Sequence, residues 1–196
     1  MALDETINVV GVDNVMLELK LGEEKHATIE RLVNVASRRL EKYCNTVFKA
    51  REITRVLNGP DFPLLDLGGP IISVTSVTVG VDVLSVDDYE VLNVRGQLYR
   101  SAGWSGGGSP ITGVGGLNNV EVEAVLGYEP IPYEVVEAAI ILIRGWVERP
   151  GSEGMQSERI GDYSYTRFNR DAATVSARGT MPEEVLDLLE PYVRHV

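Results

Sequence analysis

The sequence predicts an α+β fold: a small helical bundle with an antiparallel β-domain inserted into it. Three observations predict it. Helical periodicity runs without a Pro or Gly through Glu24–Phe48 and returns at Tyr133–Arg149 and Pro182–Arg194. Residues 51–127 instead alternate in short runs rich in β-branched residues, punctuated by Gly, Pro and Asp. No internal repeat is visible. The bundle then comprises residues 13–50 and 128–196, with an extended arm at 151–179. The β-domain occupies 51–127 and carries a Gly-rich loop at 101–116.

Residues 1–12 have no clear period and read as a flexible or partner-dependent arm. Asp13 is placed to cap a short helix, Asn14–Lys20, closed by Gly22. In the long N-terminal helix, Ile29, Leu32, Val33, Ala36, Leu40, Tyr43, Cys44 and Val47 share one face. Glu30, Arg31, Asn34, Arg38, Glu41, Lys42 and Asn45 share the other. Each large apolar side chain buried there contributes roughly 1.5–3 kcal/mol before chain entropy is counted.

Strand signatures follow at Arg51–Asn58, Ile71–Val79, Val81–Ser85 and Asn119–Leu126, Phe62–Leu67 is a short apolar run, and Tyr89–Arg100 reads as a hairpin. Ile71–Val79 is apolar on both faces, as a central strand would be. Ser101–Gly116 holds seven glycines in sixteen residues, so it reads as a long loop rather than an element. Tyr133–Arg149 is apolar around most of its circumference and should be enclosed by protein. Ile160–Phe168 has an extended pattern. Thr180 and Glu183 have capping-box spacing for the C-terminal helix, Pro182–Arg194.

The formal net charge is −11. Phosphate affinity comes from Lys and Arg displacing counterions, so an acidic chain is a poor general binder of DNA. An acidic channel wall would instead repel a duplex and let it slide. The four Lys all precede residue 50, and the remaining cations are Arg, which suits directional protein contacts. The single cysteine, Cys44, excludes an internal disulfide and falls on the apolar helix face as a small core residue. The sequence contains neither a long apolar run nor a signal-peptide pattern, so we expect no membrane span and synthesis and retention in a cytosol.

Gly103-Trp104-Ser105-Gly106-Gly107 matches the nucleophile-elbow pattern G-x-S-x-G. The elbow needs a strand before the Ser and a helix after it, and Gly-Gly-Ser-Pro cannot open that helix. Asp87-Asp88 reads as a turn and Glu183-Glu184 as the favoured charge of a helix N-terminus, rather than as metal or acid–base pairs. Ser157–Phe168 gathers Arg159, Ile160, Tyr163, Tyr165, Arg167 and Phe168. Tyr and Arg dominate interface energetics and also suit stacking on single-stranded nucleic acid; the acidity favours a protein partner.

The helix ending Ala36-Ser37-Arg38-Arg39-Leu40-Glu41-Lys42-Tyr43-Cys44-Asn45 is followed by Arg51-Glu52 and then Pro70-Ile71-Ile72-Ser73-Val74-Thr75-Ser76-Val77. Asp88-Tyr89-Glu90-Val91, Leu126-Gly127-Tyr128, Trp146-Val147-Glu148-Arg149 and Ser157–Tyr165 complete the series. In this order and spacing, over about residues 13–193, the chain resembles the head–tail connector (adaptor) proteins of tailed bacteriophages. The resemblance implies a non-enzymatic virion protein without cofactor or metal, assembled in the bacterial host cytoplasm. It implies a homo-oligomeric ring, typically twelvefold, on a portal protein, extending the DNA channel without sequence-specific DNA binding. It further implies a docking surface for stopper or tail-completion proteins.

Candidate portal or inter-subunit contacts are then Arg38, the arm residues Arg159, Ile160, Tyr163, Tyr165, Arg167 and Phe168, and Tyr192 and Arg194 of the C-terminal helix. Trp104, Ser105, Gly106 and Gly107 are candidates for a loop facing the lumen or the tail. The alternatives are another neck component, such as a stopper or tail-completion protein, a small β-rich binding module, or a serine hydrolase using Ser105.

Overall fold

A computed structural model of the 196-residue chain describes residues 5–104, 117–148, 157–160, 163–166 and 181–194. The fold is α+β, with helices and antiparallel sheets burying two separate clusters of side chains.

Helix α1 spans Val12–Glu18 and α2 spans His26–Cys44, the latter entered through a 3-10 turn at Glu23–Lys25. Asp13 does not cap α1. The boundary residue is the extended Gly11, and Asp13 lies inside the first turn, where its charge complements the exposed N–H groups. Helix α2 stops at Cys44, short of Phe48, because Asn45 takes the left-handed conformation (φ 51°, ψ 42°), which Asn tolerates better than most residues. Residues 5–12 are not a free arm. Ile7, Val9 and Val10 are buried, and Val9 N–H donates to the Oγ of Ser37 on α2 at 3.1 Å. Asn34, assigned by periodicity to the polar face, is buried by the same segment and donates to Asn8 Oδ1.

Strands β1 (Arg51–Leu57), β3 (Ile71–Val79), β4 (Asp82–Val83) and β7 (Val120–Leu126) form one antiparallel sheet in the order β1-β7-β3-β4. Both β7 and β3 are interior strands, as the apolar faces of Ile71–Val79 predict, and β7 is the one paired along its full length on both edges. β3 meets β4 only at Thr78 and Val79. In β7, Val120, Val122, Ala124 and Leu126 point inward while Glu121 and Glu123 face solvent. Strands β2 (Leu64–Asp66), β5 (Glu90–Leu92) and β6 (Gln97–Tyr99) form a second sheet, β2-β6-β5, which includes the expected hairpin. Between the sheets pack Leu65, Val77, Leu98, Trp104, Val122 and Leu126.

Helix α3 covers Tyr133–Glu148 and buries Val135, Ala138, Ala139, Ile140, Leu142 and Ile143. These meet Ile29, Val33, Ala36 and Leu40 of α2 and Val185 and Leu189 of α4 (Glu183–Leu189) in the helical core. Helix α4 is shorter than its periodic pattern. Pro191 cannot donate a helical hydrogen bond, and Glu190–Tyr192 tightens into a 3-10 turn. Pro182 stands at its N-cap with no side-chain cap bond, and Thr180 lies outside the described residues. The arm is not a single extended segment. Strands β8 (Ser157–Ile160) and β9 (Tyr163–Thr166) pair antiparallel, Ile160 opposite Tyr163.

The change of core falls between two neighbours in sequence. Val47 packs with the sheets, and Phe48 packs with the helices.

Candidate assembly surfaces

The end of α2, the edge strand β1 and the β2 turn enclose an open cleft of about 430 Å³. Its walls carry Arg38, Lys42, Arg51 and Arg55 against Glu41 and Asp66. Alternation in β1 puts Arg51, Ile53, Arg55 and Leu57 on the half-buried face and leaves Glu52, Thr54 and Val56 exposed. Glu41 is not part of a solvated helix face. Its carboxylate accepts from Arg51 Nη1 and Nη2 at 2.7 and 2.9 Å, and Oε1 also accepts from Phe48 N–H at 3.1 Å. Arg55 Nε is buried without a hydrogen-bond partner among the described residues. Arg38 and Lys42 are exposed on the rim.

Tyr192 and Arg194 are committed within the chain. Phe48, Tyr128 and Tyr192 form a closed aromatic triad with ring centroids 5.9–6.0 Å apart. The Tyr192 hydroxyl donates to Glu134 Oε2 at 3.0 Å. Burial first, and then this acidic partner, push its pKa up to about 12. Burial also raises Tyr128, a rise opposed by the Arg194 charge. Arg194 N–H donates to the Cys44 carbonyl at 2.9 Å, and its Nη2 reaches Asp66 Oδ2 at 2.7 Å and the Arg95 carbonyl at 2.8 Å. The C-terminal turn thus clasps the end of α2 to the β2–β6 side of the sheets. A side chain at Gly96 would collide with the Gly69 carbonyl beside this clasp, and its φ of 67° suits glycine.

Trp104, expected on a lumen- or tail-facing loop, is fully buried. Its indole N–H donates to the Pro63 carbonyl at 2.8 Å, its own carbonyl accepts from Asn119 Nδ2 at 2.9 Å, and Asn119 Oδ1 accepts from Gly59 N–H at 2.7 Å. Both ends of the Gly-rich loop are therefore pinned to the β-core. Ser105, Gly106 and Gly107 lie outside the described residues, as do Arg167 and Phe168. Arg159 and Ile160 fall on β8, and Tyr163 and Tyr165 on β9. Glu158 pairs with Tyr165, and Arg159 with Ser164. Asp87 and Asp88 sit in a 3-10 turn whose capping box joins Ser85 and Asp88.

Motif and alternation mark Arg51 and Arg55 only as residues of a strand that follows the long helix, not as cations of a cleft. One signal for them is present in the chain: residues 56–94 contain no Lys or Arg, so Arg51 and Arg55 stand at the boundary of a long acidic tract.

No protein-family model matches the chain, and no curated protein sequence matches it. Solved structures do. The chain is similar to one in the neck of an empty GTA particle computed with C6 symmetry, with a TM-score of 0.62 and 16% identity over 100% of this chain and 95% of that one. It is similar to one in the neck of a native GTA particle computed with C12 symmetry, with a TM-score of 0.59 and 16% identity, covering 100% and 98%. A chain in the virion of a native gene transfer agent (GTA) particle gives a TM-score of 0.63 at 14% identity, covering 100% and 95%. These neck and virion chains share the fold described above.

Proposed function

We propose that this chain is a structural subunit of a phage-type neck, and specifically a head–tail adaptor. In this reading it forms a ring, twelvefold in the assembled particle, beneath a portal protein. The ring extends the DNA channel and docks the stopper or tail-completion protein. The observation that carries the reading is the end-to-end similarity of fold to chains of a gene transfer agent neck, one of them computed with C12 symmetry. The charge of −11 supports it, because an acidic wall repels a passing duplex. Arg38 and the hairpin residues Arg159, Ile160, Tyr163 and Tyr165, with Arg167 and Phe168 beyond it, serve as contacts to the portal or to neighbouring subunits. Tyr192 and Arg194 hold the two cores together behind that surface. The loop carrying Ser105, Gly106 and Gly107 faces the lumen or the tail.

The test is reconstitution with the portal protein of the same particle, read by light scattering and by electron microscopy of the product. Stoichiometric capture on the portal side, with stopper binding only after the ring has formed, supports the adaptor. A chain that ignores the portal but binds the far end of a completed neck is a stopper or tail-completion protein. A chain that stays monomeric with every neck component is neither.

A further inference from the structure

The β-sandwich carries different patches at the two edges of its first sheet. One side, where β1 lies beside β2, carries the cleft with Arg38 and Lys42 on its rim and Arg55 on its wall, Arg51 there being paired with Glu41 and Asp66 with Arg194. The other side, at the β4 edge of the first sheet, is acidic and apolar. Val81 in the β3–β4 turn, Val83 on β4 and Val86 in the 3-10 turn that follows are 93%, 73% and 75% exposed. Asp82 on β4 and Asp87 in the 3-10 turn are exposed with them, and Glu90 is exposed at the start of β5. In the sheet order β1-β7-β3-β4, the two sides are opposite edges of one rigid sheet. Between them, residues 56–94 supply no Lys or Arg that could mask the acids.

Two different, mutually complementary patches on opposite edges of one subunit are the requirement for a heterologous, head-to-tail contact, the kind that closes into rings. We infer that the Val81–Glu90 edge of one copy docks into the Arg38/Lys42/Arg55 cleft of the next. Asp82 and Asp87 face the rim cations, and the exposed valines lose water against the cleft mouth. The occupant is a second copy of this chain, because the acidic-apolar edge offers both what the cleft attracts and an apolar surface that a free anion lacks. Complementary charge at the rim sets partner choice and register, while the valines contribute burial. This inference rests on the ring reading above and names the surfaces that make the ring.

A charge-swap pair of full-length variants tests it. One carries R38E with K42E, and the other D82K with D87K. All four positions are exposed, and none of them makes the Glu41–Arg51 or Ser85–Asp88 contacts. Sedimentation velocity over a concentration series, with portal present, reads assembly, and circular dichroism checks the fold. Each variant alone should assemble at least tenfold more weakly than the wild type. Their equimolar mixture should recover, because in alternation around the ring each swapped edge meets a swapped cleft and each native edge meets a native cleft. V81S with V83S, which carries no charge change, should weaken assembly by several-fold. Wild type that assembles while both swaps assemble equally well overturns this contact and leaves the ring standing. Wild type that never assembles overturns the ring, and the contact with it. Two folded variants that both fail and are not rescued by mixing overturn the head-to-tail pairing of these two patches.

Discussion

Glu41 holds Arg51 through both carboxylate oxygens, at 2.7 and 2.9 Å, and accepts Phe48 N–H at 3.1 Å with one of them. One residue of α2 thereby fixes the first residue of β1 and the segment between. The carboxylate is 13% exposed and the guanidinium 21%, so water replaces little of what is lost when one partner is removed. Glu41→Ala leaves a half-buried cation and an unpaired backbone donor. It should cost about 2–4 kcal/mol in urea unfolding. The Glu41→Ala/Arg51→Ala double variant should recover part of that loss, because the stranded charge is gone. A double variant no better than the sum of the singles would show that the two residues do not act as a pair.

Ser37 is a buried hydroxyl that both donates to the Val33 carbonyl at 2.8 Å and accepts from Val9 N–H at 3.1 Å. Together with the Asn34–Asn8 bond, it ties the N-terminal segment to α2. Ser37→Ala keeps the helix, since Ala has the higher propensity, but orphans a buried N–H. The expected cost is about 1–2 kcal/mol. Protease cleavage should begin within residues 5–12 at lower denaturant than global unfolding. Unchanged protection of Val9 in hydrogen exchange would count against the tie.

Residue periodicity was sufficient for elements with one buried face, which is why α2, α3, β1, β7 and the β5–β6 hairpin stand close to where alternation and helical spacing put them. It failed where a single residue or a distant partner decides. Asn45 ends α2 by its own backbone conformation, although Val47 and Phe48 continue the apolar pattern. Asn34 and Ser37 look like surface residues until the docking of residues 5–12 buries them. Trp104 looks like part of a mobile loop because its neighbours are glycines, yet its hydrogen-bond partners lie far off in sequence at Pro63 and Asn119. The basic cleft is assembled from α2, β1 and the β2 turn, so no local window contains it.

Trp104 and Asn119 close the base of the Gly-rich loop, and the two should be separable. Trp104→Ala removes the largest fully buried side chain of the β-core and should cost about 3–5 kcal/mol. Asn119→Ala removes no core volume but unpairs the Trp104 carbonyl and the Gly59 N–H. It should cost about 1–3 kcal/mol. Thermal unfolding of the two variants checks the order. An Asn119→Ala protein as stable as wild type would mean that the loop base is held by the indole alone.

Burial raises the Cys44 thiol from 9.0 to about 12, and Tyr192 is raised from 10.0 to about 12 by burial and by its bond to Glu134. For both groups the folded state holds the proton more tightly than the unfolded chain. Their contribution is therefore complete below pH 9 and is lost as pH rises from there through about 12. Denaturant midpoints should be flat with respect to these groups at neutral pH and fall increasingly above it. The slope from the buried Cys44 is on the order of 1 kcal/mol per pH unit at most, and solvent screening makes that from Tyr192 smaller. Cys44→Ala should flatten the early part of that fall, and Tyr192→Phe the later part, while Tyr192→Phe also loses the bond to Glu134 at every pH. The thiol should react with a bulky disulfide reagent only at the rate of unfolding. Rapid labelling of the native protein, or a midpoint indifferent to pH in both variants and in wild type alike, would place Cys44 and Tyr192 in contact with solvent rather than in the joint between the two cores.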